Sequence, residues 1–540
     1  MAKPKSKPQR SFFDSDYFLS HLLDPKRDRV YLLVKQMIAP LIKDEDYAAM
    51  YSEVGRSPIS PRTLVLTMIL QFLENLPDRQ TARNVALRLD WKLVLGLELD
   101  DPGFHFSVLE VFRDRLEAHD QQRAAFGALL EKLKALGLIR KRQNQRLDST
   151  HVLGHLRRLS RLECIAESLR LVLQRLCRLL GEAAFGELVS AALRERYTDT
   201  LDTHKLDKQA VRRSLQAAGK DALMLLERIE VHPERSRLSR LEEVQTLRRI
   251  FEQYFQVTPE GTSALREPLP KGTGKDRVAT PHDPEARWSE KRGKDWVGYK
   301  LQVTETAERP TEQADGTKKA AVNFITDVEV TNAAAADAEY TQQAIDRQQD
   351  QGLSPEELAV DQAYVSGAHI AQALGKGVVL MGPVAACSTK GVALSQEAFS
   401  IDLERKEAVC PEGIRSVYWK QDQKGSIQIR FPAKTCSQCP IKGQCTKSKH
   451  GRTLTLAPEY ECLQTRRALM KTEDFKEQMK ARNGIEGTLS ELCRGHGARR
   501  ARYRGKKRLR TQGLFSALAV NVKRLARAIE GGLCPELAFS

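Results

Sequence analysis

The stretch Val297-Gly-Tyr-Lys-Leu-Gln-Val-Thr304 decides the fold class, because apolar residues alternate in it with small or polar ones. This period of two is typical of a half-buried β-strand. Similar apolar patterns lie before and after it, at residues 143–152, 324–331, 358–360 and 377–381, and residues 337–350 have the composition of an Ala-rich helix. Strands that alternate with helices of this length predict an α/β core.

The rest of the chain divides around this core. Residues 12–140 have a helical pattern, and Thr81 to Arg88 within them fits one limb of a helix-turn-helix as well as a buried bundle helix. Residues 155–258 are rich in Arg, Leu and Glu and have no strand pattern, which predicts a helical insertion. The predicted divisions are a disordered basic arm (1–11), a helical, DNA-binding domain (12–140), the core (141–154, 290–385 and 463–527), the helical insertion (155–258), a linker (259–289), a cysteine-containing insertion (386–462) and a C-terminal tail (528–540).

Charge and composition narrow the function. The 540 residues include 87 Lys and Arg against 70 Asp and Glu, a net charge of +17, so the surface should attract polyanions and nucleic acid first of all. No apolar run approaches the roughly 18 residues that span a bilayer, and no signal-peptide pattern follows Met1. We therefore expect a soluble, cytoplasmic protein without membrane contact. Ten cysteines are too few for a disulfide scaffold of this length.

Three carboxylates stand at positions where metal chemistry is expected. Asp148 lies at the end of the first strand, Asp361 directly follows the strand at 358–360, and Glu486 lies in a late helical segment. Acidic residues at strand ends are usually turn or cap residues, but the crevice at strand ends is also where open α/β sheets bind ligands. Carboxylates from three elements can hold two hard cations about 4 Å apart, a site that suits phosphodiester cleavage.

Four segments together carry a family resemblance. They are Leu147-Asp-Ser-Thr-His-Val152, Val297-Gly-Tyr-Lys-Leu-Gln-Val303, Val360-Asp-Gln-Ala-Tyr-Val-Ser-Gly367 and Arg482-Asn-Gly-Ile-Glu-Gly-Thr-Leu-Ser-Glu-Leu-Cys-Arg-Gly-His-Gly497. In this order and spacing they resemble the DDE transposases of bacterial insertion sequences. The resemblance implies an RNase H-like core whose catalytic triad, Asp148, Asp361 and Glu486, binds two Mg²⁺ ions, with Mn²⁺ as a substitute in vitro. It also implies a homodimer on DNA, associated with the bacterial nucleoid.

The late helical segment departs from the family signature at both ends. In that signature two residues separate a Tyr from an Arg, three separate the Arg from a Glu, and six separate the Glu from a Lys. Arg482 and Glu486 match, whereas Met479 and Cys493 replace the Tyr and the Lys. On a single helix all four positions would share one face. In the family the Tyr and Lys act on the DNA at the element end. Their replacement therefore argues against a pathway through a DNA hairpin, but it does not affect the predicted metal binding.

A cysteine cluster predicts a structural zinc site. Cys436 and Cys439 form a Cys-x-x-Cys pair, Cys445 follows closely, and Cys410 precedes them in Cys-Pro-Glu-Gly. Four thiolates from two loops suit tetrahedral zinc, and they leave no open position for catalysis. Free thiols or a redox pair are the alternatives, and His450 could replace one ligand.

Several basic residues are predicted to contact DNA. Between Arg494 and Arg510, nine of seventeen residues are Arg or Lys and none is acidic. Charge runs are usually solvated faces, but this basic stretch follows the Glu486 segment directly, which favours phosphate contact. The predicted DNA contacts are Lys300, Arg482, Arg494, Arg499, Arg500, Arg502 and Arg504.

The sequence therefore predicts a metal-dependent DNA transposase that cleaves the ends of a mobile element and joins the 3′ ends to target DNA. One metal ion would activate water and then the freed 3′ hydroxyl, and the other would stabilise the leaving oxygen. A structure-specific nuclease on the same fold is the first alternative. A DNA-binding protein that descends from a transposase without catalysis is the second.

Overall fold

The fold is described from a computed structural model. It describes residues 23–24, 26–52, 58–154, 156–200, 206–267, 269, 276–291, 293–312, 318–319, 321–387 and 392–533, so the predicted basic arm and residues 534–540 of the predicted tail lie outside it. Among the helices of these residues, none is both long enough and apolar enough to cross a bilayer.

The N-terminal part is helical, as predicted. Its α-helices are α1 (Arg29–Leu33), α2 (Pro61–Leu73), α3 (Asp78–Leu87), α4 (Leu89–Leu95), α5 (Ser107–Ala118) and α6 (Ala124–Ala135). Helix α2 begins after Ser60, whose side chain accepts a hydrogen bond from the Thr63 amide, and it is buried on nearly all sides. Helix α3 buries Thr81 and Val85, which favours the bundle-helix interpretation of this segment.

The helical insertion follows the first strand. Strand β1 (Gln145–Leu153) leads into α7 (Arg161–Leu188, kinked at Gly181), α8 (Ala191–Arg196), α9 (Lys208–Val231), α10 (Arg235–Leu238) and α11 (Glu242–Tyr254). These helices enclose a hydrophobic core of their own. A short hairpin, β2 (Phe255–Val257) with β3 (Ser263–Leu265), comes next, so part of the predicted linker is strand.

One six-stranded sheet positions the candidate site. It continues with β4 (Arg287–Lys291), β5 (Lys294–Thr306) and β8 (Ile325–Asn332), while β6 (Thr311–Glu312) and β7 (Lys318–Lys319) pair only with each other. Two further strands, β9 (Glu357–Ala359) and β10 (Val379–Met381), complete the sheet. Helix α12 (Thr341–Asp350) precedes β9, and helix α13 (Gly367–Gly375) connects β9 to β10. The order is β10-β9-β1-β5-β4, with β8 also on β5; β9 and β10 run parallel to β1, and β5 runs antiparallel to it.

Strand β5 needs glycine where it leaves β1. Gly298 pairs with Leu153 at the end of the ladder and has a φ of 158°. A Cβ at this position would lie 2.0 Å from the Val152 carbonyl oxygen. The absence of a side chain therefore lets the two backbones meet where the β4–β5 hairpin begins.

The cysteine-containing insertion folds around small sheets. It contains β11 (Ser400–Asp402), β12 (Glu407–Val409), β13 (Tyr418–Gln421), β14 (Ile427–Arg430), α14 (Ala433–Ser437), α15 (Lys442–Cys445) and β15 (Thr453–Leu456). The chain ends in α16 (Tyr460–Leu469), α17 (Glu473–Arg482), α18 (Gly484–Gly495) and α19 (Lys506–Glu530). Helix α19 lies between β8 and α2 and joins the N-terminal helices to the sheet in one core.

Candidate active site

Strand β1 presents different side chains on its two faces. Arg146, Asp148 and Thr150 point to the C-terminal helices, where their partners are the Ala481 carbonyl, Arg482 and Cys493. Leu147 and Ser149 point the other way, to the layer that contains α12 and Asp337. The period of two in β1 therefore places Asp148 in the crevice between the sheet and the C-terminal helices.

Asp148 and Asp361 lie side by side. In the parallel register Arg146 pairs with Ala359, and each aspartate follows two residues later on its own chain. Burial raises the pKa of Asp148, and the negative charge of Asp361 raises this pKa further. The hydrogen bond from the Ser149 amide and the positive charge of Arg482 lower it. This unfavourable charge pair is an arrangement that a cation would relieve.

Arg482 neutralises one of these carboxylates. Its Nη2 lies 2.6 Å from Asp148 Oδ2, and the two side chains are only 12% and 15% exposed. The other oxygen of Asp148 accepts from the Ser149 amide, and Asp361 accepts from the Ala363 amide. Arg482 therefore fixes the orientation of Asp148, which the sequence did not reveal when it predicted a DNA contact.

The late helical segment is not a single helix, so the prediction that all four signature positions share one helix face is wrong. Helix α17 ends at Arg482 and α18 begins at Gly484. Arg146 provides the physical reason: its Nη1 donates to the Ala481 carbonyl at 2.6 Å, and a Cβ at Gly484 would lie 2.2 Å from the same nitrogen. A long side chain inserted into the helical ladder ends α17.

Glu486 lies on the helix that faces Asp148 but is not bonded to either aspartate. It precedes Cys493 by two helical turns on the same face, and Cys493 contacts Thr150 at 3.7 Å. The Glu486 side chain is exposed, and no hydrogen bond or ion pair joins it to Asp148 or Asp361 in the described ranges. Within those ranges, no three His, Cys, Asp or Glu side chains stand in metal-binding geometry.

Lys300 lies on the opposite face of the sheet from Asp148. It pairs with His151 in the ladder, whereas Asp148 pairs with Val303. Its Nζ donates to Asp337 Oδ1 at 3.0 Å and to the Ala335 carbonyl at 2.8 Å. Asp337, which sequence reasoning missed, also accepts from Ser149. The ammonium group of Lys300 is therefore engaged within the protein, and its DNA contact stays a prediction.

The basic stretch is partly structural. Residues 499–501 bridge to the end of β1, where Arg499 Nη1 donates to the His151 carbonyl at 2.9 Å. Arg502 donates to the Leu76 carbonyl at 2.6 Å and lies 4.8 Å from the Phe72 ring centre. Its guanidinium is therefore engaged within the protein, and its phosphate contact stays a prediction. Arg494, Arg500 and Arg504 are exposed and have no ion pair in the part of the chain that the structure describes.

His496, within the same stretch, is structural as well. Its Nδ1 is hydrogen bonded to the Phe72 carbonyl at 2.7 Å, and burial lowers its pKa to about 4. The imidazole is therefore neutral near pH 7 and ties α18 to α2.

These positions predict two different effects of arginine substitution. Replacing Arg494, Arg500 and Arg504 with Gln should make the slope of log affinity against log salt shallower by about two to three units, since each phosphate contact contributes about 0.9. Arg502→Gln should instead lower the melting temperature, because it removes the hydrogen bond to the half-buried Leu76 carbonyl and the contact with the Phe72 ring. Binding isotherms on random duplex DNA at several salt concentrations, beside thermal unfolding, measure both.

The exposed residues Arg235, Arg237 and Arg240, replaced together by Gln, provide a control of equal charge. A triple variant of the basic stretch that changes the slope no more than this control would show that Arg494, Arg500 and Arg504 are ordinary solvated charges.

Three of the four predicted zinc ligands lie at one small hydrophobic core. Cys445 is buried in the small core of the insertion, and Cys410 and Cys436 pack against that core. Burial raises the pKa of the Cys445 thiol, and the positive charge of Arg452 lowers it. The negative charges of the Cys436, Cys439 and Cys410 thiolates raise it further. Thiolates are ligands that zinc prefers, but within the described residues no three His, Cys, Asp or Glu side chains are grouped to hold a metal ion.

We expect about one zinc ion per chain, because zinc would remove the repulsion between the thiolates and cross-link the insertion. Metal analysis of protein prepared without added zinc measures this. Cys436→Ser with Cys439→Ser should lower the melting temperature and remove the zinc, whereas Cys177→Ser, in the helical insertion, should change neither. Protein without zinc, or a double variant of unchanged stability, would favour the free thiols.

Comparison with known families addresses both ends of the chain. A family model described as a transposase DDE domain matches residues 409–526, which contain Glu486 and the basic stretch. A second model, described as a transposase domain (DUF772), matches residues 20–115, the N-terminal helices. These matches indicate a DDE-type transposase of the insertion-sequence type. Neither match includes Asp148 or Asp361. The structure places Asp148 beside Arg482, which lies in the matched segment 409–526, and Asp361 beside Asp148. No curated protein and no solved structure matches the chain.

Proposed function

We propose that this transposase cleaves the ends of a mobile DNA element and joins the 3′ ends to target DNA, with Asp148, Asp361 and Glu486 as the catalytic carboxylates. The observation that carries the proposal is the pair of adjacent aspartates on parallel strands, in a crevice covered by the helix of Glu486. The strand order supports an RNase H-like core: β1, β4, β5 and β8 form antiparallel pairs, and β9 and β10 continue the sheet from β1 in parallel.

The carboxylate oxygens fit hard divalent cations such as Mg²⁺ or Mn²⁺. When bound there, such ions would activate water and stabilise the leaving oxygen of the phosphodiester. The chain itself contributes the alignment: Arg482 orients Asp148, and Arg146 holds the junction from which Arg482 and Glu486 project. Assembly as a homodimer on DNA remains a prediction from the resemblance.

A joining assay tests the proposal. The full chain is incubated with Mg²⁺, labelled DNA that carries the two termini flanking its coding sequence, and a plasmid target. Labelled ends joined to the plasmid are the expected result. Ends that are cut but never joined would favour the nuclease, and bound DNA that is never cut would favour the silent DNA-binding protein.

Arg482 should affect cleavage more than binding. Removing a buried guanidinium that holds a catalytic group in place is expected to reduce the single-turnover cleavage rate about 100-fold. Arg482→Lys should rescue little, because the ammonium group lacks the planar fork. DNA affinity should change little, since Arg482 faces Asp148 and is mostly buried. A loss of affinity as large as the loss of rate would return Arg482 to the predicted DNA contacts.

A further inference from the structure

A basic cleft lies between the helical insertion and the sheet, outside the candidate active site. One wall is formed by the segment after β1 and the start of α7, and the opposite wall includes residues 277–279; Tyr254 at the end of α11, Glu267, Leu269 and Trp288 on β4 complete the lining, and the volume is about 590 Å³. Arg158, Arg161 and Arg277 line it with the rings of Tyr254 and Trp288. A cleft of this size and composition suits a ligand that carries negative charge.

The positive charges of the cleft outnumber the negative ones. Glu267 is the one carboxylate in the described lining, and it is already shared by Arg212 at 3.1 Å and Arg161 at 3.8 Å. Burial raises the pKa of Tyr254 to about 12, and the neighbouring Cys164 adds to this rise. The charges of Arg277, Arg158 and Arg161 act in the opposite direction, so all three guanidinium groups lie close to this ring.

Trp288 holds one of these arginines in place. The guanidinium carbon of Arg158 lies 4.7 Å from the ring centre of Trp288, a cation–π distance. The Trp288 indole nitrogen donates to Asp295 Oδ2 at 3.1 Å, which fixes the ring in turn. A guanidinium that is ordered before binding loses less entropy when it forms hydrogen bonds with a phosphate.

The cleft continues the strand of Asp148. Leu153 is the fifth residue after Asp148, which is about 16 Å of strand at about 3.3 Å per residue. The segment that carries Arg158 follows directly, and the Leu159 amide donates to the Ala279 carbonyl on the opposite wall at 3.1 Å. The positive charge of Lys291, three residues after Trp288, acts to lower the pKa of both Asp148 and His151. The cleft therefore begins within a few nucleotides of a strand held at Asp148, since a DNA strand carries one phosphate per about 3.4 Å of helix axis.

We propose that this cleft binds the phosphodiester backbone of the DNA strand that leaves the active site, with Arg158 and Arg277 as phosphate ligands and Trp288 as the support of Arg158. The inference rests on the proposed function, because it takes the strand at Asp148 to be DNA. Arginine forks bind phosphate oxygens in pairs, which suits a backbone irrespective of its sequence.

Fluorescence anisotropy with labelled duplex DNA of one element terminus, in EDTA, tests the proposal on the full chain. Arg158→Gln with Arg277→Gln should lower the affinity about tenfold and make the salt slope shallower by about two units. Arg235→Gln with Arg237→Gln is the matched control, because these exposed residues precede α11, whose far end carries Tyr254. Trp288→Leu should weaken binding, but no further when Arg158 is already Gln.

Affinity and slope equal to those of the control would overturn the proposal, and so would an effect of Trp288→Leu that persists in the Arg158→Gln background. Thermal unfolding verifies that each variant is folded, and Arg158→Gln alone, at an exposed position, replaces the double variant if that variant unfolds. Because no metal is present, the result does not depend on cleavage. The binding measurement therefore remains valid if the triad prediction fails, and the cleavage test of the triad remains valid if the cleft does not bind DNA.

Discussion

Asp148→Asn, Asp361→Asn and Glu486→Gln should each reduce Mg²⁺-dependent strand cleavage about 1,000-fold or more. Each change keeps the shape of the side chain and removes one negative charge. A metal site that supplies several kcal/mol of transition-state stabilisation then loses a ligand, and about 4 kcal/mol corresponds to a factor of 1,000. Single-turnover cleavage of labelled element ends at saturating protein measures the loss.

The matched control is Glu356→Gln, an exposed carboxylate directly before β9, at the opposite end of this short strand from Asp361. It should cleave like the unaltered protein. All four variants should still bind DNA, because the basic residues that attract phosphate are unchanged. Cleavage at the normal rate by any one of the triad variants would remove that residue from the catalytic assignment.

Glu486 should differ from Asp148 in its effect on stability. Asp148 is mostly buried and bonded to Arg482, so Asp148→Asn leaves a buried guanidinium without its counter-charge. Glu486 is exposed, so Glu486→Gln should leave the melting temperature unchanged while it abolishes cleavage. This contrast would identify Glu486 as a residue whose role begins when metal or DNA binds.

Sequence patterns predicted what depends on local periodicity. The alternation in 297–304 lies within β5, and the segment 143–152 lies almost entirely in β1. Asp148 and Asp361 are neighbours because β1 and β9 pair in parallel register, although Asp148 lies inside β1 and not, as the sequence had predicted, at its end. The strands β5 and β1 need only the spacing of residues along the chain.

Other features depended on contacts between distant residues. The break between Arg482 and Gly484 is caused by Arg146, which is far away in sequence. The burial of Arg502 depends on Phe72 and Leu76, and a charge run gives no sign of such partners. The face of Lys300 follows from its pairing with His151, which requires the register of β1 against β5. Periodicity alone cannot supply a register.

A buried ion network joins the elements that carry the candidate site. Glu305 on β5 is fully buried, and its Oε1 accepts from Arg146 Nε at 2.7 Å. Its Oε2 accepts from Arg524 Nη1 on α19 at 2.8 Å and from Thr488 Oγ1 on α18 at 2.7 Å. One carboxylate thus connects β1, β5, α18 and α19, and Arg146 extends the connection to the end of α17.

Glu305→Gln should therefore lower the free energy of unfolding by about 3 to 5 kcal/mol, because two buried guanidinium groups lose their shared counter-charge. Glu308→Gln, three residues later, removes the same charge from an ion pair with Arg140 in which both side chains are exposed, and should cost at most about 1 kcal/mol. Equilibrium urea unfolding compares the two. Below its unfolding transition Glu305→Gln should also cleave more slowly, since Arg146 no longer has a fixed position from which to hold the α17–α18 junction. Equal stability of the two variants would mean that the network orders the site without stabilising the fold.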